Sequence, residues 1–223
     1  MRLKKSPYLP CCVLLLFALS FSGCSTASVG TPSGFLKDYS ALQDGTYFKQ
    51  EYVPHGTRFS GYKTVKVAPV NLSHLDDQSS CDSNELEALA RDFREDVEAQ
   101  LKKNSFTVSS DPSGHTLVIS LALTNIETPD RLFNVGMTAA SIMSPVPLPF
   151  DKDGKTALEG KIVDGTTGQL LMEFAEVRSG AGDQRSLKTM TVGKYQKFTN
   201  TRAVFAGWAQ TLAKMLKTLT AST

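Results

Sequence analysis

Metal-capable side chains gather in one stretch of the chain, where His74, Asp76, Asp77, Cys81 and Asp82 fall close together. A zinc site draws tetrahedral ligands from short, fixed Cys and His spacings. This set matches none of them, so no metal is expected. Asp151-Lys152-Asp153-Gly154 opens like a calcium loop but lacks the third acidic position and the right continuation, which makes it a turn. His55 and His115 stand beside Gly56 and Gly114 in expected turns, with no serine or cysteine nucleophile motif near either. Gly165-Thr166-Thr167-Gly168 lacks the lysine and the following helix that a phosphate-binding loop needs. The sequence therefore supports neither catalysis nor a cofactor.

One thiol does stand in a chemically suggestive context. Arg2, Lys4 and Lys5 precede an apolar run from Val13 to Leu19, and small residues lead to Gly23-Cys24. That is the order of a signal peptide. A transmembrane helix needs about 20 apolar residues, and this run stops short of that. Phe21-Ser22-Gly23-Cys24 looks like a bacterial lipobox, in which the Cys24 thiol takes a diacylglycerol and the new amino group is acylated after cleavage. The residue three before the cysteine is usually Leu, and Phe21 stands there instead. Several acyl chains together anchor a protein stably, each buried CH₂ adding about 0.8 kcal/mol. By resemblance to other lipoproteins, Ser25 after the cysteine favours the outer membrane. The expected partner is thus the membrane through acylated Cys24, with the domain facing the periplasm.

Loss of residues 1–23 removes three basic groups and no acid, leaving 21 basic against 22 acidic side chains of the original 24 and 22. A near-neutral chain without a basic cluster argues against nucleic acid. Of the four cysteines, Cys11 and Cys12 leave with the signal and Cys24 is acylated, so Cys81 has no intramolecular partner. It is either a buried small hydrophobe or an unpaired thiol open to an intermolecular bridge.

Residues 24–33 are small and polar, the composition of a flexible tether, and residues 34–223 suit one periplasmic domain. Phe35 to Leu42 reads as a short docked segment. Tyr62 to Val70 is a strand with Pro69 near its end. Asp82-Ser83-Asn84-Glu85 resembles a capping box, and behind it Leu86, Leu89, Ala90, Phe93, Val97 and Leu101 recur at helical steps. Phe106 to Val108 is a short strand, and Leu117, Ile119, Leu121 and Leu123 alternate along another. Residues 157–164 and 169–177 flank Gly165 to Gly168 as a hairpin. Thr199 or Asn200 offers a cap to a last helix striped by Val204, Phe205, Trp208, Leu212, Met215, Leu216 and Leu219. The order β-α-β-β-β-β-α predicts an α+β fold, a single mostly antiparallel sheet with two amphipathic helices packed on one face.

The run from Leu132 to Phe150 is uncharged and carries Pro145, Pro147 and Pro149, which enforce an extended path. Two readings stand. It is a loop lying over the core, or an apolar lip in which Leu132, Phe133, Met137, Ile142, Met143, Val146, Leu148 and Phe150 touch lipid, a partner chain or a ligand.

Ser33-Gly34-Phe35-Leu36 with Asp38-Tyr39-Ser40 and Leu42, Tyr62 before Val67-Ala68-Pro69, Glu159-Gly160 with Asp164, Thr167-Gly168 and Leu171, and Trp208-Ala209 with Leu212 together resemble domain-of-unknown-function family 3313, a family of bacterial lipoproteins. The resemblance implies location and domain extent but no catalytic residues. The combined expectation is an outer-membrane-anchored, non-enzymatic module that contacts an envelope protein, with a carrier of lipid or another small apolar ligand as the alternative.

Overall fold

The computed structural model describes residues 32–76, 82–126, 155–179 and 198–221. Within them the chain forms β1 (Gln43–Asp44), β2 (Gln50–Tyr52), β3 (Thr64–Val67), helix α1 (Ser83–Lys103), β4 (Thr107–Val108), β5 (Thr116–Ile126), β6 (Lys155–Asp164), β7 (Leu170–Ser179) and helix α2 (Thr199–Ala221). The seven strands make one sheet in the order β1-β2-β7-β6-β5-β3-β4. Its ladders are antiparallel except where β3 pairs in parallel with β4 and β5. The fold is α+β with a mostly antiparallel sheet, and β1 and β2 stand ahead of the expected order.

The periodicities explain the layers. Leu89, Ala90, Phe93, Val97 and Leu101 of α1 are buried, the stripe read from their spacing. Phe93 stacks on Phe205 of α2 at 4.5 Å between ring centroids. Both helices share one apolar core with Val65 and Val67 of β3, Ile119, Leu121 and Leu123 of β5, Leu158 and Ile162 of β6 and Phe174 of β7. Alternating strand residues therefore point at the helices.

Local signals fix the ends. Asp82 Oδ1 accepts from the Asn84 N–H at 2.8 Å while Glu85 Oε2 accepts from the Asp82 N–H at 3.4 Å, closing the capping box. At α2 the cap position falls to Phe198 rather than to Thr199 or Asn200, because the Phe198 carbonyl takes the Arg202 N–H at 2.9 Å. β3 stops before Pro69, which has no donor for the ladder. No helix among the described residues is long and apolar enough to cross a membrane.

The opposite face of the sheet is covered too. Ala122 points away from the helices yet is fully buried, and Glu159 and Glu173, in the same layer, are only 4 % and 2 % exposed. Over the two glutamates lies the segment from Ser33 to Leu42, which docks as expected and contributes a separate small cluster of Leu36 and Leu42 on Ala175.

Candidate functional site

Two polar clusters hang on β6, one at its middle on Glu159 and one at its end on Asp164. The first forms under the docked segment. Asp38 Oδ1 accepts from the Ser40 N–H at 2.9 Å and from its hydroxyl at 2.6 Å, which opens a 3-10 turn over Tyr39–Ala41. The same two donors hold the Asp38 carboxyl below its ordinary range, the side-chain hydroxyl foremost. That turn swings Tyr39 inward.

The Tyr39 hydroxyl accepts from the N–H groups of Gly34 at 2.9 Å and Leu36 at 3.3 Å, and donates to Glu159 Oε2 at 2.8 Å. One donor and two lone pairs are thereby all used. The Ser33 hydroxyl donates to the same Glu159 oxygen at 2.7 Å, and the Lys37 N–H donates to Glu173 Oε1 at 3.2 Å. Above them Phe35 meets the edge of His74 at 5.7 Å and receives the Lys161 ammonium over its ring at 4.5 Å. A buried carboxylate is costly unless hydrogen-bonded, and these donors are what permit Glu159 and Glu173 to lie there.

Serine, histidine and glutamate in one cluster invite a test for nucleophilic chemistry. A Ser-His-acid arrangement needs the imidazole facing the serine Oγ. Here Ser33 Oγ gives its proton to a carboxylate, and His74 Nδ1 lies 3.0 Å from the Ser33 carbonyl, which fixes that nitrogen as a donor and turns it away from the hydroxyl. The arrangement is a clasp.

The second cluster closes the β6–β7 hairpin. Tyr62 donates to Asp164 Oδ2 at 2.6 Å, while Asp164 Oδ1 accepts from the Thr166 N–H at 3.1 Å, the Thr167 N–H at 2.6 Å and the Thr167 hydroxyl at 2.8 Å. The Tyr62 hydroxyl and then the Thr167 donors pull the Asp164 carboxyl down to about 2. Burial, then the hydrogen bond and charge of Asp164, push the Tyr62 phenol up to about 12. The aspartate is charged and the tyrosine protonated throughout the neutral range, so neither exchanges a proton there. His115 packs its ring edgewise on Tyr62 at 5.0 Å, and Gly168 adopts a φ of +70° at the loop's end.

Of the metal-capable set read from the sequence, the structure describes His74, Asp76 and Asp82. His74 serves the clasp and Asp82 the helix cap, while Asp77 and Cys81 lie outside the described residues. Among the described residues no group of three His, Cys, Asp or Glu side chains could hold a metal ion. Cys24, and Leu132, Phe133, Met137, Ile142, Met143, Val146, Leu148 and Phe150, lie outside the described residues as well, as do Asp151 to Gly154. The sequence reading missed the convergence of Ser33, Tyr39 and Glu159. Its signal was present in the two stretches that carry the family resemblance most specifically, the opening and the Glu-Gly to Thr-Gly run.

Residues 31–212 match the model of a family described as Protein of unknown function (DUF3313). No curated protein matches. Among solved structures, a PelC dodecamer from Paraburkholderia phytofirmans is 11% identical with a TM-score of 0.41, covering 77% of this chain and 97% of its own. The hypothetical protein CT253 from Chlamydia trachomatis is 8% identical with a TM-score of 0.40, covering 73% and 99%. A minor lipoprotein from Acinetobacter baumannii is 12% identical with a TM-score of 0.36, covering 70% and 94%. Likenesses this distant carry no argument about this chain.

Proposed function

The chain belongs to the DUF3313 family of proteins of unknown function, and from that premise we propose that it is an outer-membrane-anchored lipoprotein whose single domain makes non-enzymatic protein contacts in the periplasm. The observation that carries this reading is the basic, apolar and small-residue succession ending in Gly23-Cys24, where an acylated thiol tethers everything that follows. The geometry lends support by how it spends its polar chemistry. Ser33, Tyr39 and His74 secure a covering segment, and Tyr62 and Asp164 secure a hairpin.

Labelled palmitate fed to cells tests the anchor. The wild-type chain takes up label and sediments with outer membranes, whereas Cys24→Ala takes up none and appears in the soluble periplasmic fraction. An unlabelled wild-type chain refutes the anchor. A reproducible hydrolase or transferase activity in the purified domain, abolished by one point change, refutes the non-enzymatic part.

A second reading, carriage of lipid or another small apolar ligand, rests on the uncharged run from Leu132 to Phe150. Photo-crosslinking from a probe in that run separates the two. A discrete protein adduct that requires Cys24 supports the interaction module, and lipid adducts support the carrier.

A further inference from the structure

The segment from Ser33 to Leu42 is attached to the domain by an unusual kind of bond. None of its residues belongs to a strand. Five of its N–H groups are satisfied by side chains, Gly34 and Leu36 on Tyr39, Phe35 on Ser33, Lys37 on Glu173 and Ser40 on Asp38, while the Leu42 N–H stays within the segment on the Tyr39 carbonyl. Its apolar contacts, Leu36 and Leu42 on Ala175 with Phe35, Tyr39 and Tyr52 around them, form a cluster apart from the main core. Lifting the segment therefore breaks no ladder hydrogen bond and opens no part of the helix-facing core. Such a unit opens at a lower free energy than the sheet beneath it.

The hold is also arranged in sequence. Ser33, at the tether end, bears two contacts: its hydroxyl on Glu159 and its carbonyl against His74. Tyr39 returns to the same Glu159 oxygen from farther along. Displacement of the N-terminal end thus loads Glu159 first. Once Ser33 and Tyr39 leave it, the remaining contacts are the Lys37 N–H on Glu173, the Phe35 ring against His74 and Lys161, and the small apolar cluster.

We infer that Ser33 to Leu42 is a releasable strap, latched by Glu159, that serves as a reserve length of tether. Ten residues of extended chain span up to about 35 Å, a length that release would add to the tether expected upstream. The tether consequence rests on the anchored reading; the strap itself does not.

Hydrogen exchange on the full mature chain carrying Cys24→Ala, soluble and unanchored, tests the strap by itself. The amides of Gly34, Phe35, Leu36 and Lys37 are expected to exchange as a group, at least about 100-fold faster than the β5 and β6 amides, as a sub-global opening does. Glu159→Gln keeps the shape but removes the charge from two hydrogen bonds, so the group exchanges roughly 30-fold faster still while β5 and β6 are unchanged. Tyr39→Phe, which leaves Glu159 charged and removes one of its donors, moves the group in the same direction. Strap amides that exchange at the sheet's rate overturn the proposal, as does a Glu159→Gln chain that exchanges like the parent or accelerates strap and sheet equally. Failure of the anchor alone leaves this exchange pattern intact and removes only the added reach.

Discussion

Gly160 sits in the middle of β6 opposite Phe174, and replacing it with alanine offers a strict test of the packing described above. A Cβ at that position meets Phe174 Cζ at 2.1 Å, Cε2 at 2.4 Å and Cε1 at 2.7 Å. Carbon atoms pack at about 3.5–4.0 Å, so the ring must move by more than an ångström. It has nowhere to go, because Phe174 is 0 % exposed and stacked on Phe48 at 4.1 Å between centroids. At an ordinary strand position Gly→Ala stabilises by about 0.5–1 kcal/mol. Here overpacking of about 1–3 kcal/mol, with about 1 kcal/mol from the disturbed stack, outweighs that gain and reverses the sign to a net loss of about 1–3.5 kcal/mol. In a domain of this size that lowers Tm by about 2–14 °C. Trp208, the only tryptophan, is 1 % exposed and donates to Glu176 of β7 at 2.7 Å, so its fluorescence reports unfolding of the same layer. A shorter side chain at 174 relieves the clash: Gly160→Ala costs at least about 1 kcal/mol less in a Phe174→Leu background than in the parent. A urea midpoint shift worth under about 0.5 kcal/mol, or a cost unchanged by Phe174→Leu, refutes the reasoning.

The Asp164 carboxyl is held at about 2, below its unfolded value of about 3.9. A depressed folded value contributes stability that is full above about pH 4 and lost as pH falls toward 2. Urea midpoints through that window fall for the parent and flatten for Asp164→Asn. Tyr62→Phe removes the largest cause of the depression and costs about 1–2 kcal/mol at neutral pH, read by the same assay. Arg202 of α2 pairs with Asp92 of α1 at 2.5 Å on the surface, so Arg202→Ala costs no more than about 1 kcal/mol and the difference disappears near 1 M salt. Cys24→Ala abolishes palmitate labelling and shifts the chain from the membrane to the soluble fraction.

What was legible in the chain was whatever repeats locally. The stripes of α1 and α2, the alternation of β5 and the hairpin after β6 all follow from spacing within one element. The parallel pairing of β3 with β4 follows from a strand, helix and strand in succession. β1 and β2 were not legible, because Gln43–Asp44 and Gln50–Tyr52 carry no alternation of apolar residues. What builds them is the Glu51 carboxylate, which gathers the N–H groups of Thr46, Tyr47 and Phe48 at 3.1, 2.7 and 2.6 Å. The burial of Glu159 and Glu173 was not legible for a related reason. In a strand with one buried face they occupy the outward register of an ordinary solvated side chain. They are buried only because a segment more than a hundred residues earlier lies over them, and no local pattern encodes that contact.

The residues that carry the family resemblance can now be given physical duties one by one. Ser33, Tyr39 and Glu159 close the strap, and Asp38 with Ser40 turns the chain so that Tyr39 reaches inward. Gly160, beside Glu159, faces the other way and leaves room for the Phe174 ring. Glu-Gly is therefore one dipeptide working on two faces: the acid secures the outer cover, and the missing side chain lets the inner core close. Asp164, Thr167, Gly168 and Tyr62 hold the hairpin, while Trp208, Ala209 and Leu212 are buried between α2 and the sheet. Each of these duties belongs to folding. A signature with these duties identifies how the domain is built. The strap's hold on Glu159 is part of that architecture.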